Sequence, residues 1–166
     1  MPTPEFIREL REHVGHAPLW LMGVTGVVIA EDGSVLLHQR ADDGSWAPPG
    51  GILEPGEQPA QALAREIREE TGIRAVPERI VSVVTEPPFT YANGDVVQFM
   101  DVAFRCRPVG GEIRLDEDES LDAGWFAPGG LPRMSERVLR RIRHAQAAAG
   151  ETDAWFVPPP GTADRA

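Results

Sequence analysis

The sequence has a single cysteine and no long apolar run, and both scarcities exclude classes of protein. Cys106 cannot form a disulfide within the chain, which agrees with a reducing compartment. No stretch approaches the roughly 20 apolar residues of a membrane-spanning helix, and the N-terminus has no apolar signal segment. We therefore expect a cytoplasmic protein without a membrane partner.

Basic residues are also scarce relative to acidic ones. The 16 Lys and Arg residues against 26 Asp and Glu residues give a formal net charge of −10. Binding to a nucleic-acid polymer needs cations against many phosphates, so such a polymer is not expected as a partner. A small phosphorylated substrate is still compatible, because metal ions and a few arginines can offset the repulsion locally.

Length and periodicity predict one α/β domain with short additions at both ends. Phe6 and Ile7 begin an apolar pattern with helical spacing, and Thr3 before them is a candidate N-cap. Residues 19–30 and 35–39 have the pattern of a β-hairpin. The other predicted elements are strands at 81–84, 96–105 and 124–126 and helices at 59–71 and 134–149. The predicted divisions are an N-terminal helix in 1–18, a domain over 19–150 and a flexible tail over 151–166.

The helix predicted over 59–71 carries three carboxylates on one face. Glu66, Glu69 and Glu70 stand at i, i+3 and i+4, within a single turn. Taken alone, such a triplet is most often a solvated acidic face. The alternative is a site for a hard cation, because Mg²⁺ takes a few carboxylate oxygens and leaves other positions to water and phosphate.

The surrounding residues decide between these interpretations. Residues 51–73, GILEPGEQPAQALAREIREETGI, resemble the Nudix box: Gly, five residues, Glu, seven residues, Arg-Glu, an aliphatic, any residue, Glu-Glu, any residue, Gly, an aliphatic. The fixed positions are all filled, by Gly51, Glu57, Arg65, Glu66, Ile67, Glu69, Glu70, Gly72 and Ile73. The resemblance extends roughly from Leu19 to Phe126, and it implies an α/β fold, the Nudix-type α/β/α sandwich with a mixed β-sheet.

The resemblance also implies roles for individual residues. The implied metal ligands are the backbone carbonyl of Gly50 and the side chains of Glu66, Glu69 and Glu70, with Mg²⁺ as the cofactor and Mn²⁺ as a substitute. The implied catalytic residues are Arg65, Glu66, Glu69 and Glu119. Arg65, with Glu57, would orient the carboxylates, whereas the general base would be either Glu66 or Glu119. The acidic run that contains Glu119 is equally compatible with a solvated loop.

Residues outside the box are candidates for contacts with the substrate. They are Arg40, Tyr91, Asp95 and Gln98. For Arg40 a structural salt bridge has equal weight, and the stretch from Tyr91 to Gln98 equally fits a plain hairpin with its turn at Asn93. Trp46 is expected to pack, and the four histidines show no metal spacing. The arginines of the last helix, Arg137, Arg140, Arg141 and Arg143, are expected in solvent or at a subunit contact.

The implied activity is magnesium-dependent hydrolysis of the phosphoanhydride bond in a nucleoside diphosphate derivative. The substrate would be either a nucleoside diphosphate sugar such as ADP-ribose or a nucleoside triphosphate such as an oxidised purine dNTP. The alternative is a sensor or regulator with the same fold that binds a nucleotide without turnover. Three mutually repelling carboxylates argue against a pure binder, and a homodimer is left open.

Overall fold

The structure, a computed structural model, describes residues 3–115, 120–147 and 154–160. Its helices are α1 (Glu5–Val14), α2 (Pro59–Thr71) and α3 (Glu136–Gln146). Its strands are β1 (Leu19–Val28), β2 (Val35–Arg40), β3 (Trp46–Ala47), β4 (Gly50–Ile52), β5 (Arg74–Thr85), β6 (Phe89–Thr90), β7 (Val96–Gly110) and β8 (Ser120–Phe126). No helix in these ranges is both long and apolar enough to cross a bilayer.

The strands form two sheets. The larger sheet has the order β4-β1-β7-β5, with β6 also paired to β7, and the smaller has the order β3-β2-β8. The neighbours β1 and β7 run parallel, whereas β1 is antiparallel to β4 and β5 is antiparallel to β7. The larger sheet is therefore mixed, which confirms the predicted fold class.

Alternate residues of β1 pack against different helices. Val24 and Val28 belong to the same apolar cluster as Leu63 and Ile67 of α2. Val27 belongs instead to a second cluster with the α3 residues Val138 and Ile142. Because successive side chains of a strand point to opposite faces, α2 and α3 cover opposite faces of the larger sheet.

The limits predicted for the helix over 59–71 are confirmed by α2. Pro59 occupies its first turn, and Gly72 follows its last residue with a left-handed φ of 74°. The Gly72 N–H donates to the Arg68 carbonyl oxygen at 2.9 Å, which closes the last turn. The helix ends are set by local chemistry, so they are visible in the sequence.

The predicted hairpin of residues 19–30 and 35–39 is wrong as a pairing of two strands. The chain does turn between them, but β1 and β2 are connected only by the single bridge from Ile29 to Val35. The physical reason is that β1 already has β4 on one edge and β7 on the other. β2 therefore pairs with β3 and β8 in the second sheet.

Both ends of the described chain pack on the sheet. The α1 residue Ile7 is buried against Leu21 and Val97, although no side chain, Thr3 included, caps this helix. Trp155 lies inside the stretch predicted as a flexible tail, and its backbone N–H donates to the Val81 carbonyl oxygen at 2.9 Å. The Arg140 guanidinium lies 4.3 Å from the centroid of the Trp155 ring. Trp155 thus covers the outer edge of β5.

Gly72→Ala should lower the free energy of unfolding by about 1 to 3 kcal/mol. A Cβ at this position would lie 2.4 Å from the Glu112 carbonyl oxygen, and the backbone has a φ that L side chains rarely adopt. Urea unfolding followed by circular dichroism measures the change. Gly129→Ala is the matched control, because a Cβ there meets nothing within 4 Å. Equal stability of the two variants would contradict the prediction.

Candidate active site

Two glycines of β4 bring the chain close to carboxylates of α2. The Gly50 N–H donates to Glu70 Oε2 at 2.8 Å. A Cβ on Gly51 would lie 2.2 Å from Glu66 Cδ, so only glycine leaves room for that carboxylate. The side chains of Glu66 and Glu70 are 5% and 4% exposed, whereas Glu69 is 50% exposed. The loop and the helix therefore form one compact acidic site.

Arg65 holds the carboxylates of the site apart and in place. Its Nε and Nη2 donate to the two oxygens of Glu57, each at 2.9 Å, in a bidentate pair. Its Nη1 donates at 3.0 Å both to Glu66 Oε1 and to Glu69 Oε2. The guanidinium lowers the pKa of Glu57, and Glu57 is in turn the largest cause of the raised pKa of Arg65. The bidentate pair thus favours the ionised form of Glu57.

The donor set has the chemistry of a site for a hard divalent cation. Three carboxylates within one helical turn, beside the backbone of Gly50, supply the oxygen ligands that such ions take. Within the described ranges, no three Asp, Glu, His or Cys side chains are grouped around one ion position, and Arg65 Nη1 lies between Glu66 and Glu69. Glu69 is the most exposed of the three carboxylates. Glu119, the other candidate base, lies outside the described residues.

His38 is buried next to the box, and its position in the sequence does not indicate this contact. Its Nδ1 lies 2.8 Å from Ser120 Oγ, and its Nε2 lies 3.8 Å from Glu70 Oε2. Burial, with a further contribution from Arg40, lowers the pKa of His38 to about 4. The imidazole is therefore neutral at pH 7, and it contacts Glu70 as a polar group and not as an ion pair.

A cavity of about 740 Å³ opens beside this site. Gly50 and the box residues Gly51, Ile52 and Glu70 contribute to its lining. Of the predicted substrate contacts, Arg40 and Tyr91 also line it. Arg40 is at the same time bound by Asp42, whose Oδ1 accepts from Arg40 Nε at 2.9 Å. The salt bridge that the sequence left as an alternative is thus present as well.

The other two predicted substrate contacts, Asp95 and Gln98, do not line the cavity. Asp95 Oδ1 lies 2.8 Å from His16 Nδ1 and 3.3 Å from Arg11 Nε, in the turn that follows β6. Gln98 Nε2 donates to the Glu86 carbonyl oxygen at 3.0 Å. Asp95 thus ties the β6–β7 connection to α1, and Gln98 ties β7 to the β5–β6 connection, so their contact with a substrate stays a prediction. Trp46 packs edge to face on Phe126, at 4.9 Å between ring centroids.

An ion-pair network also lines the cavity. Arg141 Nη2 lies 2.8 Å from Asp101 Oδ2 and also contacts Glu86, whose Oε2 accepts from Arg137 Nη1 at 3.1 Å. Thr25 Oγ1 donates to Asp101 Oδ1 at 2.7 Å. Burial raises the pKa of Asp101, and Arg141 and Thr25 oppose that rise. The expectation that the arginines of α3 lie in solvent or at a subunit contact is therefore wrong for Arg141, which is 11% exposed, whereas Arg137 lines the cavity but stays half-exposed.

Nothing local in the sequence indicates this network. Glu86 is 55 residues from Arg141 and 51 from Arg137, and no spacing rule connects residues so far apart. The arginines recur at helical spacing, which indicates a shared face of a helix but not what that face meets. Only the packing of α3 on the sheet brings the partners together.

Comparison with known proteins agrees with the geometry of the site. The family model of the NUDIX domain matches residues 19–147. A MutT-like protein of Streptomyces ambofaciens is 38% identical over 134 residues, which cover 80% of this chain and 81% of that protein. The human 8-oxo-dGDP phosphatase NUDT18 is 36% identical over 115 residues, and the match covers 66% of this chain and 33% of NUDT18.

A solved structure is similar over most of its own length. The crystal structure of a MutT NUDIX hydrolase from Burkholderia pseudomallei has a TM-score of 0.60 and 27% sequence identity, and the match covers 76% of this chain and 98% of that one. The family match includes the complete box, the strands around it and the helix α3. The chain therefore belongs to the Nudix family of hydrolases, enzymes that use divalent metal cations.

Proposed function

We propose that this chain hydrolyses the phosphoanhydride bond of a nucleoside diphosphate derivative with Mg²⁺ as its cofactor and Mn²⁺ as a substitute. The observation that carries the proposal is the turn of α2 on which Glu66, Glu69 and Glu70 stand, oriented by Arg65 and placed beside a cavity of about 740 Å³. A cavity of this size is typical of sites for small molecules and cofactors. A ligand in this cavity would lie next to Glu70.

The charges of the cavity support a need for cations. Its described lining contains five acidic side chains, Asp42, Asp43, Glu70, Glu86 and Asp101, and four arginines, Arg40, Arg133, Arg137 and Arg141. These side chains alone would not attract a diphosphate, and the glutamates of the box would repel it. Bound divalent ions would neutralise the phosphate oxygens and lower the pKa of an attacking water.

The residues of this chain would perform the remaining tasks. Gly50 holds Glu70 through its N–H, and Arg65 holds Glu66 and Glu69, so the carboxylates meet the ions at little cost in conformational entropy. A carboxylate would take the proton of the attacking water as general base, and we infer Glu119 or Glu66 for this role. Removing Glu57 would free one side of the Arg65 guanidinium, so we infer that Glu57 and Arg65 are positioning residues.

The substrate is a small nucleotide, and two kinds are in competition. The name of the NUDT18 relative, 8-oxo-dGDP phosphatase, favours a purine nucleoside phosphate over a nucleoside diphosphate sugar. Because the match covers a third of NUDT18, this inference concerns the shared domain. A screen with Mg²⁺ of nucleoside di- and triphosphates, their oxidised forms, dinucleoside polyphosphates and nucleoside diphosphate sugars, with products identified by mass, decides between them. A pure sensor would turn over none.

Glu69→Gln and Glu70→Gln should each reduce Mg²⁺-dependent turnover by about 1000-fold or more while the protein stays folded. The amide keeps the volume of the side chain but removes the charge that binds a cation. Turnover with and without a chelator, beside circular dichroism of each variant, tests this. Glu9→Gln, on the exposed side of α1, is the control. Full activity in both box variants would overturn the proposed function.

Glu119→Gln should lower kcat about 100-fold or more and change KM little if Glu119 is the general base. A base acts in the transition state, so its loss does not weaken binding of the ground state. The measurement is a comparison of kcat and KM for Glu119→Gln and Glu66→Gln on the best substrate of the screen. Wild-type kcat in the Glu119 variant would assign the role to Glu66.

A further inference from the structure

Gly23 of β1 leaves a slot in the floor of the cavity. It is paired in register with Asp101 of β7 on one side and with Ile52 of β4 on the other. A Cβ built on Gly23 would lie 3.4 Å from Asp101 Oδ1, 3.5 Å from Phe99 Cδ1 and 3.7 Å from the Gly51 carbonyl oxygen. All five residues line the cavity. We call this bare part of the cavity floor, together with the part of the cavity above it, the Gly23 slot.

The slot has a fixed hydrogen-bond acceptor in its wall. Asp101 Oδ1, the oxygen nearest to the missing Cβ, accepts one hydrogen bond from Thr25. Asp101 Oδ2 lies away from the slot beside Arg141, at 2.8 Å from its Nη2. A carboxylate oxygen has two lone pairs, so Oδ1 can accept one further hydrogen bond. A ligand group in the slot would meet an acceptor whose position is already set.

The charge around the slot favours an uncharged ligand group. Glu86 and Asp101 are matched in number by Arg137 and Arg141, and the four form one ion-pair network. A balanced network neither attracts a phosphate nor leaves an arginine free for one. The glutamates of the box contact β4, which pairs with the edge of β1 opposite to Asp101, and cations there would hold the phosphates. The neutral half of a nucleotide therefore fits the slot better than its anionic half.

The shape of the surroundings favours a flat group. The Phe99 ring forms one side of the slot, and Phe89 and Tyr91, in edge contact at 4.9 Å between centroids, also line the cavity. Aromatic side chains and a strand without a side chain offer flat apolar surfaces to a planar ring. A sugar ring, which is puckered and hydroxylated, makes less use of such surfaces.

We propose that the Gly23 slot receives the nucleobase of the substrate and that Asp101 Oδ1 accepts a hydrogen bond from an N–H group on the edge of that base. This inference rests on the proposed nucleotide hydrolysis and names the residues that determine its specificity. It makes Gly23 and Asp101 specificity determinants that lie outside the box. Bases with an exocyclic amino group or a ring N–H fit the acceptor, and an unsubstituted purine does not.

The main test is Gly23→Ala. The distances from the built Cβ to its neighbours are ordinary van der Waals contacts, and Gly23 has no positive φ, so the methyl group fits the folded chain. We expect the melting temperature to stay the same or to rise slightly, because alanine loses less backbone entropy than glycine on folding. The methyl group occupies the slot, so KM should rise about tenfold or more while kcat changes less.

The second test measures binding without turnover. Calorimetry with α,β-methylene diphosphates of guanosine, adenosine and unsubstituted purine riboside should show the first two binding about tenfold more tightly to the wild type. Asp101→Asn, with its amide oxygen taken by Arg141, should remove that difference. Gly129→Ala is the control for both tests, because a Cβ at this position meets no other atom within 4 Å.

Each outcome has a distinct meaning. An unchanged KM in Gly23→Ala, or an unchanged ratio between the three analogues in Asp101→Asn, overturns the assignment of the slot and leaves the hydrolase standing. A wild-type protein that cleaves no nucleotide with Mg²⁺ contradicts the proposed function itself.

Discussion

The contact of Arg65 with Glu57, Glu66 and Glu69 is the interaction on which the rest of the site depends. Carboxylates on one helical turn repel each other, and burial of two of them makes the repulsion stronger. One guanidinium opposes it with four donated hydrogen bonds. Since the bidentate pair with Glu57 fixes the plane of that guanidinium, the loop before α2 is tied to the helix that carries the ligands.

Glycine residues at positions of close contact are the second requirement of this site. Gly51 makes room for the Glu66 carboxylate, and Gly26 allows α2 to approach β1, since a Cβ there would lie 2.9 Å from Ile67 Cδ1. Helix, loop and strand can therefore lie closer together than ordinary residues would permit. The closeness buries Glu66 and Glu70, whereas Glu69 stays half-exposed.

The parts that sequence could predict are those with local causes. The limits of α2 follow from Pro59 and Gly72, and the box is a pattern of fixed spacing. The partner of β2, the place of His38 beside Glu70 and the pairing of Arg141 with Asp101 are different, because each depends on which faces meet after folding. The turn at Asn93 and Gly94 is visible in the sequence, whereas the contacts of Asp95 with Arg11 and His16 are not. Site residues outside the box are thus products of topology.

Two parts of the site differ in charge, and this difference bears on how a nucleotide would lie in it. The carboxylates of the box outnumber the one arginine that pairs with them, so phosphates would bind there only through cations, whereas the network of Glu86, Asp101, Arg137 and Arg141 is balanced. A ligand with an anionic half and a neutral half would therefore have one favourable direction. Because Gly23 and Gly51 lie on adjacent strands, one strand spacing of about 5 Å separates the Gly23 slot from the first residue of the box. The sheet itself would then set the distance between base and scissile bond, and variation at the floor would change specificity without disturbing the helix that carries the chemistry.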